Sequence, residues 1–355
     1  MIPGKTWKKV IFSIAVIFTV GNYCFAQKEG LFDSEEILEI TLKGDVRALF
    51  ANTKGEAEYF GFTLGYSDNY RNPNSIPLRV KTRGHFRREM NICDYPPLLL
   101  NFAKENVANT IFSSQDKVKL VMPCRGEKYV MREYLTYKIY NQLTPNSFKV
   151  RLVRLTVLNE TDSGKSYEPF LGFLIEEEEQ MAQRVKMASL DKDLVKPESV
   201  VKDDFLRMAV FQYLIGNTDW SVQYRQNIKL ISSSEGTDLI AVPYDFDHAG
   251  IVRAPYAKPA PELKLATITD RRYRGYCIDD MRIFEKTFEE FKAKKEAIYA
   301  LYSESELLDD KYIKSTIKFL DGFYTTLSNP KRAKFDFQYP CLADGTGNVV
   351  IKGLK

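Results

Sequence analysis

DDFLRMAVFQYLIGNTDWSVQYRQNIKLISSSEGTDLIAVPYDFDHAG, residues 203–250, is the stretch that decides how this 355-residue chain is read. Asp203 and Asp204 suit the positive end of a helix. Phe205, Leu206, Ala209, Val210, Phe211, Tyr213 and Leu214 make that helix apolar on most sides, so it belongs in a core. Gly216-Asn217 ends it, and Asp219 sits just past the stop. Asn227 opens a strand ending at Ile231, a Ser-Ser-Ser-Glu-Gly turn follows, and the return strand Leu239–Val242 runs through Pro243-Tyr244 into Asp245-Phe246-Asp247. A hairpin folding back on the helix end would bring Asp219, Asn227 and Asp245 together. Each alone is also an ordinary turn former.

Asp and Asn oxygens are hard ligands suited to Mg²⁺, which is usually held by one or two carboxylates plus substrate phosphates. A further carboxylate beside such a site can accept a hydroxyl proton. Gly216-Asn217-Thr218-Asp219, Asn227 and Tyr244-Asp245 resemble the catalytic and metal-binding segments of HipA-like kinases. Asp245-Phe246-Asp247 and the layout before it resemble the secreted CotH kinases of spore coats. The resemblance implies an α+β, two-lobed protein-kinase-like fold, with Asp219 as catalytic base, Asn227 and Asp245 as metal ligands, and Mg²⁺ and ATP as cofactors. It is clearest over 203–250 and faint over about 76–180. Asp219 and Asn227 stand eight apart where the kinase catalytic loop has five, and Trp220-Ser221 replaces the basic or His-containing turn usual in HipA-like chains.

The first 26 residues read as a secretory signal: Lys5, Lys8 and Lys9, then the apolar run Val10–Val20, then Cys24-Phe25-Ala26 with cleavage before Gln27. A lipoprotein reading at Cys24 meets a bulky Tyr23, and an uncleaved anchor is the other alternative. The expectation is an exported protein, periplasmic or extracellular, with no membrane span after cleavage. The formal charge of +4 includes the three leader lysines, which leaves +1 and no electrostatic support for nucleic-acid binding. Four cysteines remain, an even number suited to two disulfides. Cys93–Cys124 and Cys277–Cys341 are favoured because each would staple one lobe; buried free thiols are the alternative.

A strand-rich N-terminal lobe is expected over 27–180 and a mainly helical one over 181–355. Strands are read from Leu38, within 57–70, and at 76–84, 98–102 and 117–121, with a turn at Asn72–Ser75. Leu78, Val80 and Thr82 share one face of the third strand and Arg79, Lys81 and Arg83 the other. Arg83-Gly84-His85 resembles the Arg-Gly-Asn turn of CotH-like kinases near the nucleotide phosphates, although a basic strand face is also commonly solvated. Pro96-Pro97 occupies the place where those chains carry lysines, so Lys119 is the candidate nucleotide lysine and Lys81 the reserve. Residues 128–143 form a helix whose Glu133 either pairs with that lysine, as in kinases, or lies at the surface.

Phe148–Leu158 and Phe170–Ile175 read as strands joined through a turn at 161–164. Glu176–Glu179 marks either a hinge facing an adenine or a solvated acidic face, and 181–202 a polar connector. Arg271–Tyr276 is a basic patch for an acidic substrate or a solvated loop. Two helical patterns occupy 281–327. The functions in contention are phosphate transfer from Mg-ATP to an unknown protein or small-molecule acceptor, a binding module on an inactive kinase fold, and a glycan hydrolase using Asp219 with Asp245 or Asp247. With only His85 and His248 present, His-dependent triads and multi-His metal sites are poorly supported.

Overall fold

The run from Leu38 becomes strand β1 (Leu38–Gly44), with Leu38, Ile40 and Leu42 buried and Glu39 exposed. This computed structural model describes residues 1, 30–67, 72–84, 93, 95–161 and 167–342. The rest of the leader, His85 and Asp162–Gly164 of the expected turn lie outside them. Strands β2 (Phe60–Ser67), β3 (Pro73–Thr82), β4 (Leu98–Phe102), β5 (Lys117–Val121), β6 (Val150–Asn159) and β7 (Phe170–Ile175) complete a closed barrel in the order β1-β2-β3-β4-β5-β7-β6. Neighbours are antiparallel except β1 and β6, which run parallel from Leu38↔Val153 to Gly44↔Asn159. Closure leaves this sheet no open edge. Leu64, Val80, Leu98, Leu100, Val118, Leu120, Val153 and Leu155 belong to its buried core. The expected alternation in β3 holds: Leu78, Val80 and Thr82 are buried, and Arg79 and Lys81 are not.

The second core gathers helix α3 (Glu127–Leu143), α5 (Lys202–Ile215), the small sheet and the C-terminal helices α6 (Glu285–Ala293), α7 (Lys295–Ser303), α8 (Asp310–Ser328) and α9 (Pro330–Phe337). Two short helices, α1 (Val46–Ala51) and α2 (Lys104–Val107), flank the barrel, and α4 (Glu178–Arg184) follows it. The small sheet has the order β10-β9-β8, from β8 (Ala188–Ser189), β9 (Ile228–Ser232) and β10 (Leu239–Pro243). The layout is the expected α+β one, strand-rich first and helical second, and it is compatible with a kinase-like fold. Helix α3 joins the halves. It packs on β7 and α7, and its Arg132 stacks on Tyr312 at 3.6 Å and donates to Val252 O at 3.3 Å.

Several expectations are corrected. Asn72–Ser75 is no turn: Pro73 already pairs with Ser67 at the first position of β3, where a missing N–H costs no ladder bond. The connector 181–202 contains most of α4 and strand β8. The 281–298 pattern breaks at Lys294 into α6 and α7. The acidic run is solvated only in part, with Glu179 exposed. Glu176 is buried and paired with Arg184 at 2.8 Å, Glu177 caps α4, and Glu178 meets Lys229 at 2.7 Å.

The basic patch is not a free surface. Arg271 donates to Leu214 O and Phe319 O and stacks on Phe319, while buried Arg274 donates to Thr218 O and Trp220 O. The last turn of α5 and the loop after it leave carbonyls that need donors, and two arginines supply them at Leu214, Thr218 and Trp220. Disulfides join Cys93 to Cys124 and Cys277 to Cys341. No helix among the described residues is long and apolar enough to cross a membrane.

Candidate functional site

Helix α5 ends at Gly216, whose φ of 66° is left-handed. A Cβ there would meet the Phe319 ring and the backbone of Gly250. That closeness draws the chain beyond β10 back to the helix end: Gly250 N donates to Gly216 O at 3.1 Å and Ile251 N to Ile215 O at 2.9 Å. The segment containing Asp245 and Asp247 is therefore held against the segment that carries Asp219.

Asn217 accepts from Asp219 N through Oδ1 at 3.0 Å, an Asx turn that sets the Asp219 backbone. The six residues from Ser221 to Gln226 form a small loop closed by a bridge between those two ends. This loop absorbs the long spacing and delivers Asn227. Its side-chain amide donates to Asp219 O at 2.8 Å and Asp219 Oδ2 at 3.0 Å. Asn227 and Asp245 both take left-handed backbones, φ 50° and 60°, an unfavourable conformation outside glycine that clusters at functional sites. Tyr137 of α3 anchors Asp245, its hydroxyl accepting from Asp245 N at 2.8 Å. Phe246 is buried against Tyr137 and Phe211, with ring centroids at 4.6 and 5.4 Å.

Asp219, Asn227 and Asp245 line one cleft of about 280 Å³, together with Asp247, His248, Gln226 and Tyr244. Arg83 and Gly84 from the end of β3, Pro97, Val121 and Ile175 form the barrel side of it. The cleft thus lies between the two cores. Burial pushes the Asp219 carboxyl above its usual range, and Asp247 adds to this; His248, the Asn227 hydrogen bond and Arg274 pull the other way.

Lys119 borders the cleft without lining it. Its ammonium lies over the rings of Tyr244 at 5.0 Å and Phe148 at 5.7 Å. Burial lowers its pKa to about 7, helped by Arg83 and Lys229 and opposed by Glu178 and Asp245. Glu133 is buried rather than at the surface. Lys81 points elsewhere, over the Tyr59 ring at 4.6 Å.

The donor chemistry suits a hard divalent cation. The Asn227 Nδ2 atom is committed to Asp219, so its Oδ1 is the atom left to serve as a ligand, beside the carboxylates of Asp245 and Asp247. Asp247 was named from the sequence only as a possible hydrolase carboxylate, not as a metal ligand. Its place here depends on Phe246 pointing into the core between two acids. Tyr137 was legible only as an apolar helix position, and Arg274 only as surface charge.

No family model matches the chain, and no curated protein matches it. Among solved structures, the crystal structure of a Helicobacter pylori proinflammatory kinase, CtkA, is similar at 10% identity and a TM-score of 0.39, over 67% of this chain and 92% of that one.

Proposed function

We propose that this protein transfers a phosphoryl group from Mg-ATP to an acceptor hydroxyl, with Asp219 as the base and Asn227 and Asp245 as the residues that hold the metal. The observation that carries the reading is the shared cleft of these three side chains beneath Arg83 and Gly84. Bound Mg²⁺ would neutralise charge on the nucleotide's phosphates. Asn227 has two tasks: its Nδ2 orients the Asp219 carboxylate, and its Oδ1 joins Asp245 as a ligand. Asp247 is a third candidate ligand. The raised pKa of Asp219 makes it a better proton acceptor than an exposed carboxylate, and a positioned base contributes roughly 10²–10⁴ in rate. Arg83 and Lys119 supply positive charge on the barrel side. Two disulfides and the leader-like start support action outside the cytoplasm.

Calorimetry with Mg-ATP tests the assignment. Asp245→Ala should abolish binding and Asp219→Ala should spare it while removing turnover. Wild-type-like binding and turnover by both variants would refute the roles.

A second reading, a nucleotide- or ligand-binding module without turnover, is favoured by Pro96-Pro97 standing where CotH-like chains carry lysines. A thermal shift with Mg-ATP but no phosphate transfer would select it.

A further inference from the structure

We infer that Arg274 is a positioning residue for Asp219, holding the carbonyls of the residues on either side of it; this rests on the phosphotransfer reading for its kinetic consequence. Arg274 lies 55 residues beyond Asp219 in the sequence, in a segment whose basic composition suggested a surface patch. In the fold it is buried, and one Nη1 atom donates to the carbonyls of Thr218 and Trp220, the second at 3.1 Å. These are the residues on either side of Asp219. Only here among the described residues does one side-chain atom reach both neighbours of a candidate catalytic group.

The placement has a physical logic. Asp219 follows a helix end, where carbonyls lack intrahelical partners, and precedes the loop closed by the Ser221–Gln226 bridge. Asn217 and Asn227 hold the amide and carbonyl of Asp219 itself, and Arg274 supplies the donor for the carbonyls on either side. The buried guanidinium fixes both carbonyls with charge-assisted bonds, which are stronger than neutral ones. A lysine there presents a compact charge without the guanidinium's fixed planar array of donors.

Arg274 is itself held. Tyr273 beside it is buried against Phe284 and Phe337. Cys277, three residues on, is bonded to Cys341. Arg271 in the same segment anchors the last turn of α5 and the middle of α8 through Leu214 O and Phe319 O. Arg271 therefore makes a matched control: an arginine of the same loop bonded to backbone carbonyls, none of them next to Asp219.

The experiment compares Arg274→Lys, Arg274→Met and Arg271→Met in the full chain. Turnover is measured with Mg-ATP, and backbone exchange across 217–227 by hydrogen–deuterium mass spectrometry. Misplacing a catalytic group by about 1 Å costs about a hundredfold in rate. The expected result is a kcat loss of that order for Arg274→Met and a smaller loss for Arg274→Lys, with KM for Mg-ATP within about twofold. Exchange should quicken in 217–227 for the Arg274 variants alone, while Arg271→Met lowers Tm and keeps kcat. Equal kcat and equal loop exchange in the Arg274 and Arg271 variants would overturn the inference. If the wild type shows no turnover, the phosphotransfer reading fails, and exchange confined to the Arg274 variants still decides whether this residue holds the loop.

Discussion

The amide of Gly250 donates to the carbonyl of Gly216 at 3.1 Å, and this contact brings the two ends of the decisive stretch together. Gly250 has no room for a side chain: a Cβ would overlap Ile268 O and press on Thr269 and Gly216 O. Gly250→Ala should destabilise the fold by about 1–3 kcal/mol through overpacking, as read from denaturant melts. It should also weaken Mg-nucleotide binding, because Asp245 and Asp247 lose their register with Asp219. An unchanged midpoint and unchanged binding would show that the closure is dispensable.

Asp219→Asn should stabilise the protein at neutral pH in the absence of divalent metal. The folded carboxyl has a raised pKa, so the folded state holds its proton more tightly than the unfolded chain does. That preference is fully present below the unfolded value of 3.8 and is lost as pH rises through the folded value. Above the folded value the wild type carries a buried charge that asparagine lacks, and asparagine's Oδ1 still accepts from Asn227. The Tm advantage should shrink as pH falls toward 4. An advantage independent of pH would assign it to packing instead.

Lys119 titrates in the opposite sense. Its folded pKa of about 7 lies below 10.5, so the fold disfavours the ammonium. Stability from this site is present above pH 10.5 and lost as pH falls to about 7. Lys119→Met should therefore stabilise most at pH 6 and progressively less toward pH 10, as read from Tm. Binding an anionic phosphate beside the amine should restore its proton. At pH 7 the wild type should take up roughly half a proton with Mg-ATP, measurable by calorimetry in buffers of different ionisation heat. No buffer dependence would place Lys119 outside the nucleotide's reach.

Phe246 holds the short acidic run in place by filling the space between Tyr137 and Phe211. Phe246→Ala should cost about 3–5 kcal/mol, as a buried aromatic truncation does. Phe246→Leu should retain most of the stability, with any loss of Mg-nucleotide affinity reporting the aim of Asp245 and Asp247. A wild-type melting profile for Phe246→Ala would contradict the burial.

Local patterns made much of this protein readable in advance. Alternation marks a strand from Leu38 and another through Leu78, Val80 and Thr82 because side chains on a strand change face at every residue. Gly216 reads as a helix stop because left-handed backbone favours glycine. The even cysteine count gave two disulfides, and the lobe-by-lobe pairing matches the structure. The three residues Asp219, Asn227 and Asp245 could be named from residue type and order along the chain, although each is common in turns.

Contacts between distant segments decided the rest. The same charges read as surface in sequence became buried donors or acceptors once carbonyls and partners from elsewhere met them: Arg274 at Thr218 and Trp220, Arg271 at Leu214 and Phe319, Glu176 at Arg184. Closure of the strands into a barrel followed from the parallel pairing of β1 with β6, more than a hundred residues apart. Sequence periodicity reports which face of an element is apolar, since that is set by the geometry of one strand or helix. Which buried polar group finds which partner is set by hydrogen bonds across the fold, and only the tertiary structure supplies those.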